Sequence, residues 1–315
     1  MKLSETRSAY LFPPNAAAQK RLYPDLRCRP MYNCVGELVP MIINTFSYLW
    51  KLTAIDAITE LAGSGYRIFE VPVSSPHCWP DEMSPTVRSD TKKQLQDHAA
   101  SVRSLNAGGF DINLASPGAN MRRKSIEHIK DVIDLAFEWG VVDVVISPGT
   151  RRPMISPPIS QTLEWLYESL DVLLPHAEQA GVRLLLENTP YCFRPTMDEL
   201  IGVVNEVGND NLKIVYDVAN AAFIGEDPVA CVLSGHPTIG LLHISDTGLA
   251  EWGHDPIGTG VVNFEALGKA IETTCNMDSV VLEIIREKDP LEEIDKGINE
   301  LKNRGWKLNS RSSGK

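Results

Sequence analysis

The chain is short of the features that mark several protein classes. Its six cysteines, Cys28, Cys34, Cys78, Cys192, Cys231 and Cys275, are scattered over 315 residues with no C-x-x-C pair. That density is far below a disulfide scaffold, so they read as reduced thiols of a cytoplasmic protein. The opening MKLSETRSAYLFPPN has no apolar run of signal-peptide length, and no later run is long enough to span a bilayer. Basic residues are outnumbered 30 to 41, and the formal net charge of -11 works against binding nucleic-acid phosphates. Nucleic acid and membrane drop out as partners. A small-molecule substrate remains, and self-association into a homo-oligomer stays open.

What is present is a rhythm. A hydrophobic content of 43% is ample for one large domain or two ordinary ones. Residues 1–39, with Pro13, Pro14, Pro24 and Pro30, read as an irregular N-terminal extension. After them, apolar runs occur at Met41–Phe46, Ile68–Val73, Phe110–Ala115, Val141–Ser147, Val182–Glu187, Leu212–Asp217, Gly240–Ser245 and Ser279–Ile284. None alternates strictly, as expected of parallel strands buried on both faces.

Helical stripes fill the gaps. Thr53 and Asp56 resemble a capping box ahead of Ile55, Ile58, Leu61 and Ala62. Ile126, Ile129, Ile133 and Phe137 form a second stripe ending near Gly140. Thr196 with Glu199 opens a third, closed by Gly208, and Leu291, Ile294, Ile298 and Leu301 make the last. Eight such alternations in roughly 270 residues approach the ~250 typical of a (β/α)8 TIM barrel. The competitor, a doubly wound open sheet, usually carries a glycine fingerprint after its first strand, and NTFSYLW has none. The sequence therefore predicts an α/β chain with one barrel at 40–305 and a polar tail at 306–315.

In such a barrel, chemistry sits where the strands end. The runs end on Glu70 (IFEVP), Glu187 (LLLENTP), Asp217 and Asn220 (IVYDVAN), His243 and Asp246 (LLHISDT) and Glu283 (VVLEII). One carboxylate at a strand end is most often a loop hydrogen-bonder. Glu187, Asp217, His243 and Glu283 come from four successive strands at one depth. Three clustered carboxylates repel unless a cation sits among them. Oxygen donors plus one imidazole suit Mn²⁺ first, with Mg²⁺, Co²⁺, Fe²⁺ or Zn²⁺ as alternatives. The competing reading is a polar network that closes the barrel mouth.

The segments LLLENTP, VYDVANAAF, LLHISDTG and VVLEI, with DPIGTGVVNF at 255–264, resemble the xylose isomerase-like superfamily of TIM barrels. Its members include sugar isomerases, ketose 3-epimerases, inosose dehydratase and endonuclease IV. The resemblance implies one divalent metal on Glu187, Asp217, His243 and Glu283. It also implies Glu187 and Glu283 as the acid–base pair that moves a proton next to a ketose carbonyl through an enediolate. A lyase of the same superfamily, dehydrating a keto-inositol or cleaving a keto-glycoside, begins with the same enolate. A non-catalytic sugar- or partner-binding barrel is the third reading. The family's epimerases often carry D-x-x-H after strand six, where this chain has Asp217-Val-Ala-Asn220. With seven histidines in all and a net charge of -11, the chain departs from the endonuclease branch.

Five residues are weaker substrate-binding candidates. His254 and Asn220 lie on loops beside the proposed ligands, and Glu70 matches the family's strand-two Glu. Arg151, with Arg152, suits an anionic group. Trp79, with Phe46 and Tyr48, suits the carbon face of a sugar. Gly258 and Gly260 could offer N–H groups to an anion, and Arg286 could pair with Asp246 or with substrate.

Overall fold

Eight parallel strands close on themselves: β1 (Val39–Asn44), β2 (Ile68–Pro72), β3 (Ser101–Asn106), β4 (Asp143–Ile146), β5 (Arg183–Glu187), β6 (Leu212–Asp217), β7 (Ile239–Ile244) and β8 (Val280–Leu282). Each pairs with the next in sequence, and β1 pairs with both β2 and β8. This computed structural model describes residues 39–109, 111–152, 154–274 and 280–309. The expected extension at 1–39 lies outside them except for Val39.

Helices follow the strands: α1 (Ala54–Gly63), α2 (Pro85–Asp97), α3 (Ala119–Trp139), α4 (Ile159–Ala180), α5 (Met197–Val207), α6 (Val218–Phe223), α7 (Pro228–Gly235), α8 (Phe264–Thr274) and α9 (Pro290–Asn303). Their ends obey local chemistry. Thr53 caps α1 by accepting from Asp56 N–H, and Thr196 with Glu199 forms a full capping box on α5. Gly140, at φ 77°, and Gly208, at φ 62°, end α3 and α5 in the left-handed conformation that glycine adopts without a Cβ clash. No helix among the described residues is long and apolar enough to cross a membrane.

Seven of the eight expected strands lie where the apolar runs put them. The third does not: β3 is SVRSLN at 101–106, and Ile112–Ala115 belong to the loop that follows it. The reason is that β3 carries polar groups with buried partners. Ser104 Oγ donates to Glu70 Oε2 at 2.6 Å, and Arg103 pairs with Asp143. The apolar Leu114 and Ala115 are buried as a loop instead. The tail boundary also shifts. Trp306 is buried with its indole N–H on Phe264 O at 2.7 Å, and β9 (Leu308–Asn309) pairs with the start of β1. The barrel therefore runs to Asn309, beyond the expected end at 305.

The barrel interior is layered. Ile42, Val145, Leu185, Val215, Leu241 and Val281 form a dry plug, with Ile68 against it. Fully burying each such side chain contributes about 1.5–3 kcal/mol. Side chains in a strand alternate faces, so the residue two places on returns to the interior. Two places beyond the plug stand Asn44, Glu70, Ser147, Leu186's neighbour Glu187, Asp217, His243 and Glu283, all buried. One period-two step thus separates an aliphatic floor from a polar layer. Two places below the plug, the buried carboxylate of Asp143 takes Arg183 Nε at 2.8 Å and Nη2 at 3.0 Å.

Candidate metal centre

Glu187, Asp217, His243 and Glu283 each offer one ligand atom, and these atoms all lie within 4.8 Å of one another. His243 is at the middle. Its Nδ1 is 3.0 Å from Glu283 Oε2, 3.6 Å from Glu187 Oε1 and 3.9 Å from Asp217 Oδ2. Its other nitrogen, Nε2, donates to Glu70 Oε2 at 3.2 Å. Glu70 is therefore the carboxylate that fixes the ring from behind and turns Nδ1 toward the centre, the usual support of a metal-binding imidazole.

Glu70 is itself held. Ser104 Oγ and Asn44 Nδ2, the latter at 2.8 Å, both donate to it. Asn44 Nδ2 also donates to Glu283 Oε1 at 2.9 Å, and its Oδ1 accepts from Phe46 N–H at 2.6 Å. That backbone bond decides which way the amide points. Asn44, Glu70, His243 and Glu283 thereby form a closed hydrogen-bonded ring across β1, β2, β7 and β8. Asp217 N–H donates to Asn188 Oδ1 at 2.7 Å, and Asp217 Oδ1 accepts from Asn220 N–H at 2.7 Å. Glu187 is approached from the β3–α3 loop: a Cβ on Gly108 would fall 2.9 Å from Glu187 Oε2.

The electrostatics follow from this crowding. Burial pushes the Glu283 carboxyl up to about 7, although His243 and His254 pull the other way. Burial opposes a charge on His243, yet the carboxylates of Glu70 and Glu283 outweigh it and hold the ring proton well above the ordinary histidine value. Burial also works against the Glu70 charge, but His243 and the two donors keep that carboxyl below its ordinary value.

The donor set fits a divalent cation. Asp217 is fully buried, and its Oδ2 has no hydrogen-bond partner among the described residues. A buried charged oxygen without a partner costs several kcal/mol unless something compensates it. Three carboxylate oxygens and one imidazole nitrogen suit Mn²⁺, Mg²⁺, Co²⁺, Fe²⁺ or Zn²⁺.

Among the weaker candidates, the structure brings three to the centre. Glu70 backs His243, Asn220 touches Asp217, and His254 Nδ1 lies 3.5 Å from Glu283 Oε2 and 3.6 Å from Asp217 Oδ2. His254 is held there by Ser245 Oγ at 3.0 Å. Arg151 and Arg152 are exposed on the β4–α4 loop. Trp79 stacks on His128 of α3, with ring centroids 4.0 Å apart. Tyr48 is buried in the core.

The glycine loop does bind an anion, but an internal one. Asp246 Oδ2 accepts from Gly258 N–H at 2.9 Å and Gly260 N–H at 2.8 Å. Its Oδ1 accepts from Val262 N–H at 3.0 Å. A Cβ on Gly260 would lie 2.2 Å from Thr247 O, so only glycine fits. Arg286 pairs with Asp255 rather than with Asp246. Sequence reasoning missed Asn44, Ser104 and Trp252. Asn44 ends β1 as Glu187 ends β5, so the strand-end rule could have found it. Ser104 was hidden by the misplaced third strand.

Comparison with known proteins agrees with this architecture. The chain is 29% identical over 221 residues to an uncharacterized protein of Methanocaldococcus jannaschii, covering 66% of this chain and 74% of that one. It is 27% identical over 208 residues to an inosose isomerase of Bacillus velezensis, covering 63% and 72%. The solved structure of a 3-keto-D-glucoside 4-epimerase from E. coli superposes with a TM-score of 0.71 at 17% identity, covering 85% of this chain and all of that one, 100%. The sequence profile of one family matches residues 58–304. Barrel and profile agree: the chain belongs to the xylose isomerase-like TIM barrel family.

Proposed function

We propose that this protein is a divalent-cation-dependent sugar isomerase or epimerase that removes a proton from the carbon beside a carbonyl. The observation that carries the reading is the convergence of Glu187 and Glu283 with Asp217 and His243, ligand atoms within 4.8 Å, in a buried layer above an aliphatic floor. These four residues would hold the cation. Bound there, a divalent ion supplies Lewis-acid stabilisation of negative charge on a carbonyl oxygen.

The proton is handled by the chain's own carboxylates. Glu187 ends β5 and Glu283 belongs to the β8 end, with β6 and β7 between them in the sheet. They therefore approach a bound substrate from different sides. One takes the proton from the carbon next to the carbonyl, and the other returns a proton to the opposite face, which inverts that centre. The same pair, moving the proton to the adjacent carbon, isomerises the sugar. Glu283, pushed by burial up to about 7, is matched to proton exchange near neutral pH. Asn44 and the Phe46 N–H behind it keep that carboxylate in one orientation. Burial of all four groups keeps bulk water from competing.

The likeness to an inosose isomerase supports a carbohydrate ketone as substrate. The test is a screen of ketoses, ketose phosphates and keto-inositols with added Mn²⁺ in deuterated water, read by NMR. Deuterium should enter the carbon beside the carbonyl, and Glu283→Gln should abolish entry while keeping the fold. Exchange at the parent rate in that variant would remove the acid–base assignment. Loss of water or an aglycone would instead identify a lyase.

A further inference from the structure

Strand β5 ends at Glu187, and the chain turns away at once, with Thr189 N–H closing on Glu187 O at 3.1 Å. Strand β6 runs further. Its last pairing with β5 is Val215 against Glu187, while its pairing with β7 continues to Asp217 against His243. On the β5 side the main chain of Asp217 has outrun its backbone partner. Asp217 is fully buried, and buried N–H and C=O groups need partners. Asn188 supplies them. Its Oδ1 accepts from Asp217 N–H at 2.7 Å, and its Nδ2 donates to Asp217 O at 2.9 Å. One side-chain amide therefore stands in for the next peptide of β5 and extends the β5–β6 ladder by a rung.

The two bonds fix the orientation of the amide. Turned end for end, its NH2 would face the Asp217 N–H and its oxygen the Asp217 carbonyl. Asn188 is fully buried, uncharged and next in sequence to Glu187. It ties the position after one carboxylate to the main chain of another. The Asp217 side chain is held separately: Oδ1 accepts from Asn220 N–H at 2.7 Å, and Asn220 Oδ1 accepts from Trp252 Nε1–H at 2.6 Å. That leaves Oδ2, 3.9 Å from His243 Nδ1, as the oxygen for the centre.

We propose that Asn188 is a positioning residue of this centre and acts through Asp217: its amide sets the height of the Asp217 main chain against the end of β5, so that Asp217 Oδ2 and Glu187 reach one cation. The proposal rests on the cation-dependent reading above. A side-chain rung lets β5 turn off at Glu187 while Asp217 stays clamped between β5 and β7. Among the described residues the amide bonds to the Asp217 main chain and to no ligand atom, so its influence on the centre passes through that main chain. A ligand constellation tolerates about 0.5 Å of displacement. Loss of the rung should therefore appear in cation affinity and not in stability alone.

The experiment is a double-mutant cycle on the full-length protein, with Mn²⁺ affinity read by the electron paramagnetic resonance of the free ion. Its members are the parent, Asn188→Ala, Asp217→Ala and the double variant. Asp217→Ala keeps the main chain that Asn188 holds and removes the side chain that those bonds position. Asn188→Ala should weaken Mn²⁺ binding about 10–100-fold in the parent and by no more than about twofold in the Asp217→Ala background. A merely structural role would lower the melting temperature in both backgrounds and leave the affinity factor the same in each. Equal factors, or an unchanged affinity in Asn188→Ala, overturn the proposal. Asn188→Ser, whose hydroxyl is too short to reach both peptide groups, should show the same dependence on background; it decides the matter if the alanine variant does not fold. A parent that binds none of Mn²⁺, Co²⁺ and Zn²⁺ overturns the cation centre and this proposal with it. A parent that binds Mn²⁺ yet exchanges no proton of any ketone in the wider screen overturns the isomerase reading and leaves the positioning role standing.

Discussion

His243 Nε2 lies 3.2 Å from Glu70, a carboxylate 173 positions earlier in the chain and on the far side of the barrel seam. The bond commits that nitrogen and leaves Nδ1 to the centre. Glu70→Gln would keep the shape and lose the charge that holds the ring. Cation affinity, measured by titration calorimetry with Mn²⁺, should fall about 10–100-fold. An unchanged affinity would make Glu70 a packing residue.

Cation binding should release protons and strengthen with pH. Glu283, at about 7, and His243, held well above the ordinary value, both carry protons that a cation must displace. Calorimetry at pH 6 in two buffers of different ionisation enthalpy should show net release. Binding that weakens from pH 6 to pH 8 would contradict this charge arrangement.

The same groups set the stability of chelator-treated protein. The folded Glu283 value exceeds the ordinary 4.5, so the native state binds the extra proton, and this contribution fades as pH rises from 4.5 to about 7. The raised His243 value acts alike, with its contribution intact below the ordinary 6.5 and lost as pH climbs through the folded value. Glu70, lowered, contributes above 4.5 and loses its contribution only as pH falls below that. Between pH 5 and 8 the chelated protein should therefore melt at progressively lower temperature, and saturating Mn²⁺ should flatten the trend.

Asp246 gathers four backbone N–H groups of the β7–α8 loop, those of Thr247, Gly258, Gly260 and Val262. Asp246→Ala would leave the buried Val262 N–H without its partner, at about 1–3 kcal/mol, and hand the part-buried Gly258 and Gly260 N–H groups to water. The loop carries Trp252 and His254, so substrate KM should rise while the barrel stays folded by circular dichroism. A variant with the parent KM would show that the loop is held by other contacts.

Leu185 belongs to the aliphatic floor and is fully buried. Leu185→Ala should cost about 2–5 kcal/mol in denaturant unfolding. It stands one strand step below Glu187, so cation affinity should fall as well; a full loss of stability with unchanged affinity would separate floor from site.

Much of the site is legible because strand geometry is a rule of two. Leu185–Glu187, Val215–Asp217, Leu241–His243 and Val281–Glu283 repeat one motif, an aliphatic residue followed two places later by a donor. The eye finds it once the strands are recognised. Ser104 escaped because β3 is polar: SVRSLN has no apolar run, its Arg103 and Ser104 being matched by Asp143 and Glu70, which the sequence does not align with them. Asp246 shows the opposite failure. As a strand-end acid it looked like a site residue, yet its charge is consumed by its own loop.

By itself, the sequence determined the alternation of strand and helix, the caps at Thr53 and Thr196, and which four side chains stand at one depth. Those follow from local periodicity and hydrogen bonding within a few residues. Tertiary structure alone decided which nitrogen of His243 faces the centre, that Asn44 spans Glu70 and Glu283, and that Trp252 leans on Asn220. Each of these depends on groups tens to hundreds of positions apart, and only closure of the barrel sets the distances between them.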